Sequence, residues 1–303
     1  MTTTQSWRQL YPFASHYLSL GDVRMHYVDE GDGPPLLMVH GNPTWSFYWR
    51  RLIDAFRSRY RAIAVDHIGC GLSDKPQTYG YSLQRHIDNL SELVGRLDLQ
   101  KATLVAHDWG GAIGLGAVLA NKEQFGSVVL LNTGAFPPPY IPWRIRVCRT
   151  PLGTWMIRRW NLFARAALRS AVARPEGLSP DVRAGFLAPY DNWDHRVAIE
   201  KFVRDIPASP RHPTWHTLQR LEEQLTELSD WPAQLIWGMQ DWCFRPACLD
   251  RLLSVFPNAE VHRLDNAAHY VVEDAPEEVI AHMRSFLDRV HCPVSSEVAT
   301  DEP

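Results

Sequence analysis

The chain has 303 residues, 45% of them apolar, enough for one large α/β domain with an insertion, or for two smaller domains, around a sizeable core. A formal net charge of -3 at pH 7 removes any global case for a charge-driven nucleic-acid partner. No apolar run approaches the ~20 residues of a membrane span, and MTTTQSWRQLYPF has neither a basic start nor an apolar signal core, so the chain is expected to be cytoplasmic.

In chain order, VRMHYVDEG alternates like an early antiparallel strand. PPLLMVHG, YRAIAVDHIG, KATLVAHD, SVVLLNTG, AQLIWGMQD and AEVHRLDN then read as short buried strands. Helix-length segments separate most of them, among them SFYWRRLIDAFRSR, SLQRHIDNLSELVGRL and PEEVIAHMRSFLDRV. This alternation predicts a mostly parallel sheet with helices on both faces. After Ala135 the regularity breaks, and FPPPYIPWR opens a Trp-, Arg- and Pro-rich helical stretch before the strand at Gln234. The expected organisation is a core over residues 1–135 and 221–290, an inserted helical cap over 136–220, and a disordered tail over 291–303.

Cys70, Cys148, Cys243, Cys248 and Cys292 are odd in number, scattered and without CxxC spacing, which argues against a disulfide framework or a zinc site. Neither GxGxxG nor a GxxxxGKS/T loop is present, so nucleotide cofactors have no visible anchor.

The stretch AHDWGGAIG joins a β-forming apolar run to a small, helix-compatible one. Strand, turn and helix at such a junction resemble a nucleophile elbow, with Ala106 and Gly110 as the small flanks and Asp108 at the nucleophile position. Asp241 in WGMQD and His269 in DNAAHY follow, in the chain order nucleophile, acid, histidine of α/β-hydrolases. With HGNPTW, DHIGCGLSDKP and HDWGG in place, the chain from about Tyr11 to Val290 resembles the haloalkane dehalogenases. Asn42 in HGNP and the acid after GMQ resemble the third subfamily, which includes the β-lactone decarboxylases of bacterial olefin biosynthesis. The phrases FLAPYDNW and FVRDIP fit that group. The resemblance implies an α/β-hydrolase fold with an inserted helical cap, and association into oligomers or larger assemblies.

An aspartate nucleophile has its own chemical reason. Serine attacking saturated carbon would form an ether that activated water does not cleave, whereas a carboxylate forms an ester hydrolysable at its own carbonyl. Asp108 therefore implies attack on saturated carbon or a strained ring. His269 is then the base that activates water, and Asp241 fixes its tautomer. Backbone N–H groups near Asn42 and Trp109 hold the oxyanion, and the Asn42 amide and Trp109 indole receive a departing halide. This chemistry needs a small hydrophobic substrate and no metal or organic cofactor. Duller roles compete: Asn42 as a turn former, Trp109 as pocket wall, Asp241 as a turn or cap residue. His40, His67 and His107 read as structural. The sequence leads to dehalogenase-type chemistry, with β-lactone decarboxylation close behind as a physiological role. Epoxide hydrolysis using Tyr140 or Tyr190 as acids comes third, and a non-enzymatic ligand receptor is the reading from another class.

From Gln124 to Pro175 there is no aspartate or glutamate, while Arg144, Arg146, Arg149, Arg158, Arg159, Arg165, Arg169 and Arg174 are all present. Read as one helix, WMIRRWNLFARAALRS puts Met156, Trp160, Phe163 and Ala167 on one face and Arg158, Arg165 and Arg169 on another. The arginine face is expected to meet solvent, an acidic protein partner or an anionic membrane surface.

Overall fold

The computed structural model describes residues 6–291. Eight strands form one sheet in the order β1-β2-β4-β3-β5-β6-β7-β8. β1 (His16–Leu20) and β2 (Val23–Glu30) pair antiparallel, and β2 runs antiparallel to β4 (Arg61–Val65). β3 (Pro35–Val39), β4, β5 (Ala102–Asp108), β6 (Phe125–Thr133), β7 (Ala233–Gly238) and β8 (Glu260–Leu264) are parallel. Every strand expected from the sequence forms. β1 is the addition: a mostly exposed edge strand, HYLSL, whose alternation is too weak to announce it.

The inner parallel strands are apolar at successive residues because both faces are covered, whereas the edge strand β8, EVHRL, is only partly buried. Leu37, Val39, Leu104, Ala106, Val128 and Leu130 enter the core on one face, and Leu36, Met38, Val105, Val129 and Leu131 enter the core on the other. The helices of the core are α1 (Ser6–Gln9), α2 (Arg50–Phe56), α3 (Leu83–Leu97) and α4 (Trp109–Ala120) before the insertion. After it come α10 (Pro213–Gln224), α11 (Pro246–Val255), α12 (Val271–Asp274) and α13 (Pro276–His291). SFYWRRLIDAFRSR is not helical throughout: a 3-10 turn over Ser46–Trp49 precedes α2. Helix α4, WGGAIGLGAVLA, has no charged residue and is buried from Gly110 to Val118, so its small side chains let it lie directly on the sheet.

Between β6 and α10 lie α5 (Trp143–Cys148), α6 (Pro151–Trp160), α7 (Leu162–Ser170), α8 (Pro180–Leu187) and α9 (Val197–Asp205). The single helix expected for WMIRRWNLFARAALRS is in fact two. Asn161 breaks it with φ 55° and ψ 36°, a left-handed conformation that asparagine tolerates, and its Nδ2 donates to the Tyr190 carbonyl at 3.2 Å. The expected faces therefore do not hold. Trp160 points outward, 50% exposed, while Phe163 and Ala167 line a cavity. Arg158 turns inward, where Nε donates to the Trp193 carbonyl at 2.9 Å, Nη2 to Gln77 at 2.7 Å, and Nη1 lies 3.6 Å from Glu200. Residue 220, the expected cap boundary, falls within α10, whose Leu218 and Leu221 pack into the core. His291 is the last residue of α13; the rest of the expected tail, Cys292 included, lies outside the described residues.

Candidate active site

The residues singled out in the sequence converge at the carboxyl end of the sheet, where loops leaving parallel strands build binding crevices. Asp108 ends β5 with φ 55° and ψ -128°, a strained conformation for a residue with a side chain. Small neighbours make this turn possible. A Cβ on Gly110 would lie 2.0 Å from the Val39 carbonyl, and one on Gly41 would lie 2.0 Å from Asp108 Oδ1. Thr133 Oγ1 donates to the Asp108 carbonyl at 2.5 Å, tying the turn to the end of β6.

The carboxylate of Asp108 is held from both sides. Its Oδ1 accepts the backbone N–H of Asn42 at 2.7 Å, and the backbone N–H of Trp109 also donates to the group. Oδ2 lies 3.5 Å from His269 Nε2. His269 Nδ1 is 2.8 Å from Asp241 Oδ2, and the Phe244 ring stacks on the imidazole at 5.6 Å and 10°. Burial raises the carboxyl pKa of Asp108, but the hydrogen bond and charge of His269 outweigh it and hold the group below the usual carboxylate range. Burial alone would depress His269. The charge of Asp241 and the hydrogen bonds to Asp108 and Asp241 overcome it and lift His269 to about 10. The resting site is therefore a cation between two carboxylates.

The other histidines nearby do not share this state. Burial, then the His269 charge, drives His107 down to about 3, and burial likewise lowers His40 and His67. Their ring nitrogens contact backbone carbonyls: His107 that of His269 at 2.8 Å, His40 that of Gly41 at 2.7 Å, and His67 that of His40 at 2.9 Å. They brace the loops. Cys243 is pushed well up by burial and by the Asp241 and Asp108 charges, so it is a thiol and not a competing nucleophile.

Asn132 was not singled out in the sequence. At the end of β6, its Nδ2 donates to Asp241 Oδ2 and to the Gly238 carbonyl, both at 3.0 Å, and its Oδ1 accepts the Gly238 N–H at 2.8 Å. It fixes both the acid and the strand end before it. A polar residue closing the otherwise apolar run SVVLL was the available signal. The buried pair Arg50–Glu273, at 2.5 and 2.9 Å, fastens α12 behind His269 to the start of α2.

Asn42 Nδ2 donates to the Ile199 carbonyl at 3.3 Å, which leaves its second N–H, and the side chain lines a cavity beside Asp108. Trp109 lines that cavity and a second one. Both cavities contain Asp108, Trp109, Ile145, Ile206 and Cys243 in their walls, and they diverge from there. One runs along Ala112, Phe136, Pro139 and Leu218; the other runs under α5 and α7 along Trp143, Phe163, Ala167 and Ala171. Both are overwhelmingly apolar. The two tyrosines that epoxide hydrolysis would use as acids are engaged elsewhere: Tyr140 donates to the Cys243 carbonyl at 2.5 Å, and Tyr190 donates to the Thr44 carbonyl at 3.1 Å while accepting from Gly71 N–H.

Residues 34–276 match the family model of the alpha/beta hydrolase fold. The cis-3-alkyl-4-alkyloxetan-2-one decarboxylase of Xanthomonas campestris is 41% identical over 281 residues, covering 88% of this chain and 93% of that one. Haloalkane dehalogenase 2 of Mycobacterium tuberculosis is 36% identical over 277 residues, covering 90% and 94%. The crystal structure of a haloalkane dehalogenase from Bradyrhizobium elkani superposes with a TM-score of 0.84 at 25% identity, covering 92% of this chain and 98% of that one. With an aspartate on the elbow, a histidine 3.5 Å from it and enzymes on every side of the comparison, the receptor reading falls away, and the chain belongs to the haloalkane dehalogenase family of α/β-hydrolases.

Proposed function

We propose that this enzyme decarboxylates cis-3,4-dialkyl β-lactones to olefins, and that it retains the dehalogenation of bromoalkanes as a reaction of the same nucleophile. The observation that carries this reading is the pair of apolar cavities meeting at Asp108. A haloalkane has one chain to bury. A 3,4-dialkyl oxetanone has two, on adjacent ring carbons, and needs two arms with the nucleophile at their junction. The 41% identity to an oxetanone decarboxylase supports the same choice.

In this reading Asp108, His269 and Asp241 form the catalytic triad and helices α5–α9 form the cap. Asp108 Oδ2 attacks the ring carbon that bears the ring oxygen, and the C–O bond breaks to give a carboxylate. Protonated His269, the Asn42 amide and the Trp109 indole face this new negative charge. The C–C bond to the carboxylate then breaks, its electrons form the C=C bond, and the Asp108 carboxylate leaves. The products are CO2 and an olefin, with no proton and no water consumed. Backside attack sets the Asp108 oxygen antiperiplanar to the carboxylate, so a cis lactone gives a cis olefin.

With a bromoalkane, halide leaves and the Asp108 ester has no internal exit. Water must attack the ester carbonyl and give its proton to His269. The Asn42 and Trp109 backbone N–H groups, already on Asp108, hold the resulting oxyanion.

Two substitutions test the arms. Ala112→Phe fills the first cavity and Ala167→Phe the second. Each should lower kcat/KM for a lactone with two long chains more than tenfold, since excluding only two methylenes from an apolar wall costs about 0.8 kcal/mol each. A short bromoalkane should be slowed by at most one of them. If long-chain lactone turnover is indifferent to both, while melting temperatures show both variants folded, the two-arm reading is wrong.

Asn42→Ala should weaken halide binding and slow bromoalkane turnover by about 2.7 to 4 kcal/mol, on the order of a hundred to a thousandfold, as for other pre-organised donors to developing charge. Halide quenching of tryptophan fluorescence and the steady-state rate check this together. Should neither change, Asn42 is a turn residue only.

A further inference from the structure

The insertion presents to solvent a face that its own packing does not account for. Of the nine large apolar side chains exposed among the described residues, six lie between residues 143 and 162: Trp143 at 71%, Val147, Leu152 at 64%, Trp155, Trp160 and Leu162. Leu152, Trp155 and Arg159 follow one another at helical spacing along one face of α6. Leu162, Arg165, Ala166 and Arg169 do the same along α7. The Trp155 and Trp160 rings meet edge to face at 4.8 Å.

Every charged side chain on α5, α6 and α7 is an arginine. Arg144, Arg146, Arg159, Arg165 and Arg169 are exposed, and no acid occurs in the chain from Gln124 to Pro175. Among the described residues none of these five is in an ion pair, in contrast to Arg158, which turns to Glu200 and Asp194. The patch is also continuous with the site. Trp143, Arg144, Val147, Leu162 and Ala166 form the rim of the cavity whose floor holds Asp108 and His269.

We propose that this face docks on an anionic lipid surface, with the indoles and leucines at the headgroup boundary and the arginines on lipid phosphates. Indole suits that depth because its ring is apolar and its N–H wet, and guanidinium pairs with phosphate bidentately. Exposed tryptophans between arginines at the mouth of an apolar cavity favour lipid over an acidic protein, whose docking would close the mouth. Docking stands independently of the reaction; its consequence, uptake of a water-insoluble dialkyl lactone from the bilayer and discharge of the olefin into it, rests on the decarboxylase reading.

The test is flotation of the full chain with vesicles of equal parts phosphatidylglycerol and phosphatidylcholine, and with phosphatidylcholine alone. Wild-type protein should float with the anionic vesicles at low salt and be released as salt rises, because the Debye length is only about 10 Å at 0.1 M. Each arginine near an anionic surface contributes about fivefold, so Arg159→Glu/Arg165→Glu/Arg169→Glu should weaken binding by at least about a hundredfold. Trp155→Ser/Trp160→Ser should weaken it through the apolar half and reduce the blue shift of tryptophan fluorescence on binding to the part that Trp143 supplies. Both variants should keep the wild-type melting temperature and turnover of a short, soluble bromoalkane. Wild-type protein that ignores anionic vesicles at low salt, binding that survives charge reversal, or burial of the patch by self-association in sedimentation velocity overturns the proposal. Failure of lactone turnover in detergent with vesicle binding intact would instead overturn the decarboxylase reading and leave docking standing.

Discussion

Asp108→Ala should abolish release of halide from bromoalkanes and of CO2 from β-lactones together, with kcat falling about 10^4- to 10^6-fold, the range seen when a triad that acts as a unit loses one of its members. No neighbour takes over: Cys243 lies against both cavities, but burial and two carboxylates keep it a thiol. Asp108 occupies φ 55°, a conformation that costs roughly 1 to 3 kcal/mol for a residue with a side chain. Because neither variant keeps the carboxylate, Asp108→Gly should melt above Asp108→Ala by the relief of that strain, while leaving activity as low as in the alanine variant. Separate loss of one activity and not the other would mean that two different groups do the two reactions.

His269→Ala should divide the reactions. With a bromoalkane, displacement by Asp108 proceeds once per active site, and hydrolysis of the ester then stalls. One equivalent of halide should appear, the intact protein should gain the mass of the alkyl group, and the steady-state rate should fall at least about a thousandfold. With a lactone, Asp108 is expelled by fragmentation and needs no base, so the loss should be much smaller. The wild-type pH profile follows from the same residue. His269 stands at about 10 because Asp241 and Asp108 outweigh burial, so the resting enzyme holds it protonated at neutral pH. Esterification removes the Asp108 charge and with it two of the influences that raise His269, and only then is the imidazole free to act as a base. The halide burst should be flat across neutral pH, and ester hydrolysis should rise with pH along a titration whose midpoint lies below 10. The ion pair also stabilises the fold. A raised histidine pKa contributes stability that is fully present below its unfolded value of about 6.5 and is lost as pH rises through about 10.

What was legible in the sequence was what local chemistry decides. The elbow could be read because a strand, a strained nucleophile and a helix need small residues at fixed offsets, and Gly110 meets the Val39 carbonyl as that demands. Asp241 could be read because it follows the apolar run AQLIWG, and His269 because it follows the last strand in the chain order nucleophile, acid, histidine; they stand 2.8 Å apart. The insertion was not legible in the same way. Both halves of WMIRRWNLFARAALRS have helical periodicity, so nothing local showed that Asn161 would take a left-handed conformation and reset the faces. Arg158 looked like its solvated neighbours until Gln77 and Glu200, distant in sequence, supplied partners. The two arms escaped for the same reason, since segments around residues 138 and 163 become walls only through tertiary packing. Asn132 reads as the end of a strand, and its role appears only beside Asp241.

The most direct measurement gives the wild-type enzyme a cis-3,4-dialkyl oxetan-2-one in detergent and quantifies CO2, olefin and olefin geometry. The predicted result is one CO2 per olefin, cis geometry throughout, and no product from Asp108→Ala. A β-hydroxy acid in place of the olefin, or an untouched lactone from a preparation that still releases bromide from a bromoalkane, would contradict it.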